Sequence, residues 1–116
     1  MAYVDGFVLP VPKQNLDAYR KLAEIASTVW REHGALDYRE WVADDVQPGK
    51  LTSFPQSVNL KEGETVIFAW VLYESRAHRD EVNAKVMADP RLKMDEENSV
   101  FDSARMFFGG FAPLVG

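Results

Sequence analysis

The sequence predicts an α+β domain in which four strands form one antiparallel sheet and two helices lie on one of its faces. Three observations lead there. Hydrophobic periodicity alternates between strand-like and helix-like segments in the order strand, helix, strand, strand, helix, strand. Three of the four strand segments are apolar in both phases, so both faces of the sheet demand cover. No linker or low-complexity tract divides the 116 residues, so residues 1–116 form one domain.

The elements follow in order. The run "YVDGFVLPV" is rich in Val and Phe, and residues 2–9 read as the first strand, ended by Pro10 and Pro12 because proline cannot donate to a ladder. From 13 to 34 the period changes. Leu16, Tyr19, Leu22, Ala23, Ala26, Val29, Trp30 and His33 recur at steps of three and four, the signature of an amphipathic helix. Asn15 is placed to cap it, Asp17 suits the positive end of its dipole, and Gly34 is a natural left-handed stop. Residues 35–45 alternate with many charges, as an edge strand does. The stretch 46–64 holds two prolines and two glycines and is long for a connection, which marks it as a lid, an arm or a partner-binding segment with one helical turn near 54–58. It is expected to reach a partner subunit or to fold over the helices.

"TVIFAWVLYE", residues 65–74, is continuously apolar and belongs at the centre of the sheet. Ser75 caps a second helix over 76–88, which Asp89–Pro90 stops, since the residue before proline avoids helical angles. Residues 91–104 are polar and irregular, and the acidic run "MDEENS" at 94–99 reads as a solvated turn without the loop spacing of a calcium site. Residues 105–115 form the last strand, where Pro113 requires an edge position. Two βαβ halves of this kind build a split, ferredoxin-like sheet.

In that sheet the first and last strands are neighbours, and "YVDGF" and "FFGGF" are alike. Gly6 and Gly110 are expected near one another across the ladder. Lacking β-carbons, they serve either a bulge with close packing or a shallow depression that admits a ligand. The two helices cover one face only. The first strand offers Tyr3, Phe7 and Leu9 opposite Val4 and Val8, the third Val66, Phe68, Trp70 and Leu72 opposite Ile67, Ala69, Val71 and Tyr73, and the last Phe107 and Phe111 opposite Met106 and Phe108, so whichever set faces away from the helices is an apolar surface too large to be left wet. A second copy of the same sheet is the expected cover, so the chain is expected to be a homodimer.

Composition narrows the function. The net charge of −5, from 18 acidic and 13 basic residues, argues against a nucleic-acid surface and against anionic membranes. There is no cysteine, hence no disulfide, thiolate nucleophile or cysteine-ligated metal. No apolar run approaches the roughly 20 residues that cross a bilayer, and the start lacks signal-peptide character, so a cytoplasmic setting is expected. No Ser-His-Asp order, Walker loop, dinucleotide fingerprint or HExxH is present.

The motifs "YVDGF", "GKLTSFPQSV", "NAKVMADPRL" and "RMFFGGF", spread over the whole length, resemble the YbaA-like family, small bacterial proteins carrying a domain of unknown function. The resemblance implies membership of the dimeric α/β-barrel superfamily, in which two ferredoxin-like sheets pack face to face. Superfamily relatives include cofactor-free monooxygenases, haem-degrading enzymes, isomerases and ligand-sensing domains. Many hold a pocket between sheet and helices.

Such a pocket selects the candidate ligand-binding residues: Trp30 and His33 on the first helix, His78 and Asn83 on the second, and Trp70 on the central strand. Each has a plainer role. His33 can bond the carbonyls at its helix end, His78 can be half-buried on an inner helix face, the tryptophans can be core or interface, and the Asn83 amide can hold a structural bond. Asp5 and Arg105 lie in apolar strands and are expected to pair with each other or with a partner subunit. Two readings stand. One is a cofactor-free dimeric module that binds a small hydrophobic or aromatic metabolite, or a protein. The alternative is a monooxygenase- or isomerase-like enzyme acting on a small aromatic substrate. A histidine beside an unpaired polar group in a pocket would favour the second.

Overall fold

In the computed structural model, which describes residues 2–92 and 100–116, the strands are β1 (Tyr3–Pro12), β2 (Asp37–Val42), β3 (Glu64–Tyr73) and β4 (Phe107–Phe111), and the helices α1 (Leu16–Glu32), α2 (Phe54–Ser57) and α3 (Arg76–Met87). The acidic run at 94–99 lies outside the described residues. The strands form one antiparallel sheet in the order β2-β3-β1-β4. The two apolar strands are therefore central, and the charged β2 and short β4 are edges.

β1 does not stop at its prolines. It runs three residues further than expected, with Pro10 opposite Val66 and Pro12 opposite Glu64. β4 pairs only with Val4–Val8, so beyond that point one side of β1 has no ladder to satisfy. Lys13 N–H donates to Gly63 O at 2.8 Å, which turns odd positions toward β3 and the prolines toward that free side. β4 is shorter than the expected 105–115, and Pro113 falls beyond it.

α1 begins after a 3₁₀ turn at Lys13–Asn15. Asn15 does not cap it; its side-chain amide donates to Val100 O at 3.0 Å instead, fastening the helix start to the segment before β4. Gly34 ends it at φ +117°, a left-handed conformation. At α3 the Ser75 hydroxyl accepts from His78 N–H at 3.0 Å, as expected of an N-cap.

Side-chain alternation then divides the sheet. Leu9, Val11, Ile67, Val71 and Tyr73 face α1 and α3, where they pack with Tyr19, Val29, Val82 and Val86. The opposite face carries Val4, Gly6 and Val8 beside Leu72, Trp70 and Phe68. Of the two expected courses, the one over the helices is not taken: the 46–64 connection folds over this second face. Val58 is buried against Val8 and Val66, and the ring of Phe54 meets Phe68 edge-on at 6.2 Å between centroids. The short α2 thus lies across the sheet from the two long helices. Its cover reaches only one end of that face.

Candidate functional site

On the helix side a continuous polar network runs under α3. The Asp5 carboxylate, 3% exposed, accepts from Arg79 Nη1 at 3.0 Å and from Asn83 Nδ2 at 3.4 Å. The Asn83 carbonyl accepts from Trp30 Nε1 at 3.3 Å and from Tyr73 Oη at 3.1 Å. Arg79 also reaches Tyr3 Oη at 3.3 Å, with its guanidinium 5.1 Å from the centre of that ring. Arg79 Nε is buried and lies 2.9 Å from Asp80 Oδ1 without the alignment of a hydrogen bond. A buried charge needs such partners, and here a cation, an amide and three aromatic donors or rings supply them. Asp5 therefore pairs with Arg79 and not with Arg105.

A second cluster joins α1 to β2. Glu40 accepts from the hydroxyls of both Tyr19 and Tyr38. Burial, then the charge of Glu40, then its hydrogen bond push the phenols of Tyr19 and Tyr38 well above the ordinary tyrosine range. Tyr73 is raised as well, first by burial and then by the Asp5 charge.

The histidines are held elsewhere. His33 Nε2 is 2.9 Å from Asp89 Oδ2, and Asp89 also accepts from the backbone N–H and the guanidinium of Arg91. Those bonds, Arg91 first and His33 second, hold the Asp89 carboxyl far below the usual carboxylate range. His78 Nδ1 accepts from Glu74 N–H at 3.0 Å, and its ring meets Tyr73 edge-on. Of the five candidate residues, then, Trp30 and Asn83 meet directly. His33 is drawn to the turn after α3, His78 closes the loop before it, and Trp70 stands on the other side of the sheet.

Arg105 makes the densest ion cluster. It bonds Glu64 through Nη1 at 2.8 Å and Nη2 at 2.6 Å, Asp102 through Nε at 2.9 Å, and the carbonyls of Val58 and Asn59 at 3.3 and 3.1 Å. These bonds hold the Glu64 carboxyl down to about 2. The expected pairing of Arg105 with Asp5 fails because Arg105 precedes β4 and turns toward the 46–64 connection. A charged residue inside an apolar run signalled both clusters; which charge each would meet depended on register.

The helix-free face carries the open concavity. It measures about 670 Å³ and is lined by Val4, Gly6, Phe68, Trp70, Phe107 and Phe111 among others. Phe68, Phe107 and Phe111 keep 40%, 47% and 65% of their surface exposed, more than a buried core position allows. Gly6 and Gly110 do lie near one another across the ladder, one residue out of register. Gly6 pairs with Gly109, while Gly110 pairs with Asp5. Gly110 makes room for Tyr3, whose hydroxyl would lie 2.2 Å from an added β-carbon. Among the described residues no group of three or more His, Asp or Glu side chains is placed to hold a metal ion.

These features define an α+β sheet protein with a hydrogen-bonded, helix-covered side and an aromatic, open side. The chain belongs to the family described as "Protein of unknown function (DUF1428)", whose model matches residues 2–103. It is 45% identical over 115 residues to "Uncharacterized protein YbaA" of Escherichia coli (strain K12), covering 99% of this chain and 98% of that protein, and equally to its counterpart in Shigella flexneri. Among solved structures it is similar to "De novo designed protein Foldit4", with a TM-score of 0.50 and 9% identity over 97% of this chain and 99% of that one. That likeness bears on the fold alone. No helix among the described residues is long and apolar enough to cross a membrane.

Proposed function

We propose that the chain works as a homodimeric binding module for a small hydrophobic or aromatic molecule. In this reading two ferredoxin-like sheets pack through their helix-free faces as a dimeric α/β barrel, and the concavity on that face becomes a chamber between them. The observation that carries the reading is the exposure of Phe68, Phe107 and Phe111 around an apolar hollow. Contiguous apolar surface of this kind marks an interaction site. The cover supplied by Val58 and Phe54 leaves the β4 half of the face bare. A two-fold pairing would bring the same patch from each copy together. Neither His33, bonded to Asp89, nor His78, bonded to the Glu74 N–H, lines the concavity, which favours a binding role for it. The acidic, cysteine-free composition suits a cytoplasmic setting.

Sedimentation at micromolar concentration tests the pairing. The expected result is twice the 13.2 kDa chain mass, falling to the single mass in the Phe68→Glu/Phe111→Glu variant. A wild-type chain that is folded and monomeric would overturn the reading.

A further inference from the structure

Gly6 and Gly109 face each other across β1 and β4, and Gly6 faces Trp70 across β1 and β3. Three strands thus present a row of Trp, Gly, Gly at the middle of the helix-free face. Nothing in the fold of one chain asks for glycine at either position. Neither has a positive φ. A β-carbon at Gly6 would sit 3.8 Å from Phe111 Cε1, and one at Gly109 would sit 4.0 Å from the same atom; both are ordinary contacts. Glycine inside a strand weakens it, and two facing glycines do so twice. Part of the return is the Phe111 ring, whose edge lies over both glycines, and the rest is left to something that approaches the backbone beside it.

Resting on the binding reading above, we infer that Gly6 and Gly109 form the floor of a slot for one flat, uncharged aromatic ring. The floor is peptide backbone without side chains, so a planar group can lie closer to it than to any other part of the sheet. The walls are rings: Trp70 on one side, Phe107 and Phe111 on the other. The lining residues carry no charged side chain, so an ion would lose its hydration there without compensation. The volume of about 670 Å³ falls in the range of roughly 300–1,000 Å³ typical of small-molecule sites.

The test uses the full chain and a neutral aromatic probe, N-phenylnaphthylamine, whose fluorescence rises in apolar surroundings. Wild type is expected to bind it, with energy transfer from tryptophan. Gly109→Val, which fills the slot with a strand-favouring residue, is expected to weaken binding at least tenfold while leaving sedimentation unchanged and the melting temperature no lower. Gly6→Ala is expected to act in the same direction, less strongly. The inference is overturned if both variants bind the probe as wild type does. It is also overturned if Gly109→Val breaks a wild-type dimer that never bound the probe, since the slot would then receive a side chain of the second copy. A monomeric wild type that binds the probe and loses it in Gly109→Val would refute the dimer and uphold the slot.

Discussion

Replacing Arg105 by alanine should destabilise the protein by about 3 kcal/mol, the low end of what removing one partner of a buried ion pair costs. The figure follows from the surroundings. The Glu64 side chain is 9% exposed and that of Arg105 14%, and the contact is bidentate, at 2.8 and 2.6 Å. Without Arg105 the Glu64 carboxylate is left buried with, among the described residues, the N–H of Lys61 at 2.8 Å, and the carbonyls of Val58 and Asn59 lose a donor. For a domain of this size the melting temperature should fall by about 12 °C, at roughly 4 °C per kcal/mol.

The pH dependence supplies a second reading of the same bond. Arg105 lowers Glu64 from its usual 4.5 to about 2. A carboxyl whose folded value is depressed stabilises fully above its unfolded value, and the contribution disappears as pH falls through the folded one. The difference between wild type and Arg105→Ala should therefore be complete at pH 6 and narrow between pH 4.5 and 2. Glu64→Gln, which keeps the shape, should reduce the narrowing to the share of Asp102, whose carboxyl Arg105 also lowers. Urea unfolding followed by tryptophan fluorescence at several pH values measures all three. A loss below about 1 kcal/mol, or a gap that stays constant down to pH 2, would refute the claim that this pair clamps the 46–64 connection.

Two further outcomes are expected. Gly110→Ala should destabilise by about 1–3 kcal/mol, because its β-carbon would overlap the Tyr3 ring, whose Cε2 would lie at 2.7 Å; calorimetry should show coupling between this change and Tyr3→Leu. Tyr19, Tyr38 and Tyr73 should resist ionisation in a spectrophotometric titration: with folded values raised above the usual 10, they stabilise below pH 10 and lose that contribution as pH climbs, so tyrosinate should emerge with unfolding. Smooth titration of all tyrosines near pH 10 in the folded protein would contradict the Glu40 cluster.

Much of the fold could be read from residue pattern because the pattern has one physical cause. "TVIFAWVLYE" is apolar in both phases, and only a central strand buries both phases; β3 is that strand. The charged alternation around Tyr38 and Glu40 gave β2 its edge position for the opposite reason. The prolines of β1 misled, because whether proline ends a strand depends on which side of it carries a neighbour, and β4 stops at Val8. Asn15 misled in the same way: a capping residue is local, but Val100 is 85 positions away and took its amide.

The candidate site shows where such reading ends and why. Helical spacing placed Trp30 and Asn83 on inward stripes, and they do share a hydrogen bond. Trp70 required the parity of β3 against β1, which one residue of register reverses. The same parity decides the glycines. Opposite Asp5, Gly110 serves a ring of its own chain, while Gly109, one residue back, opens onto the other face. The two sides of the sheet thereby differ in what they can still bind. On the helix side, Asp5, Asn83, Trp30 and Tyr73 spend their donors and acceptors on one another. On the bare side the described residues that line the hollow are apolar apart from the Trp70 indole N–H, so a ligand there chiefly removes apolar surface from water, at about 25 cal/mol for each square ångström. A ligand that displaced the first set must replace every bond it breaks, whereas one that covers the second replaces only water. That asymmetry is why the functional reading rests on the sheet face and not on the pocket between sheet and helices.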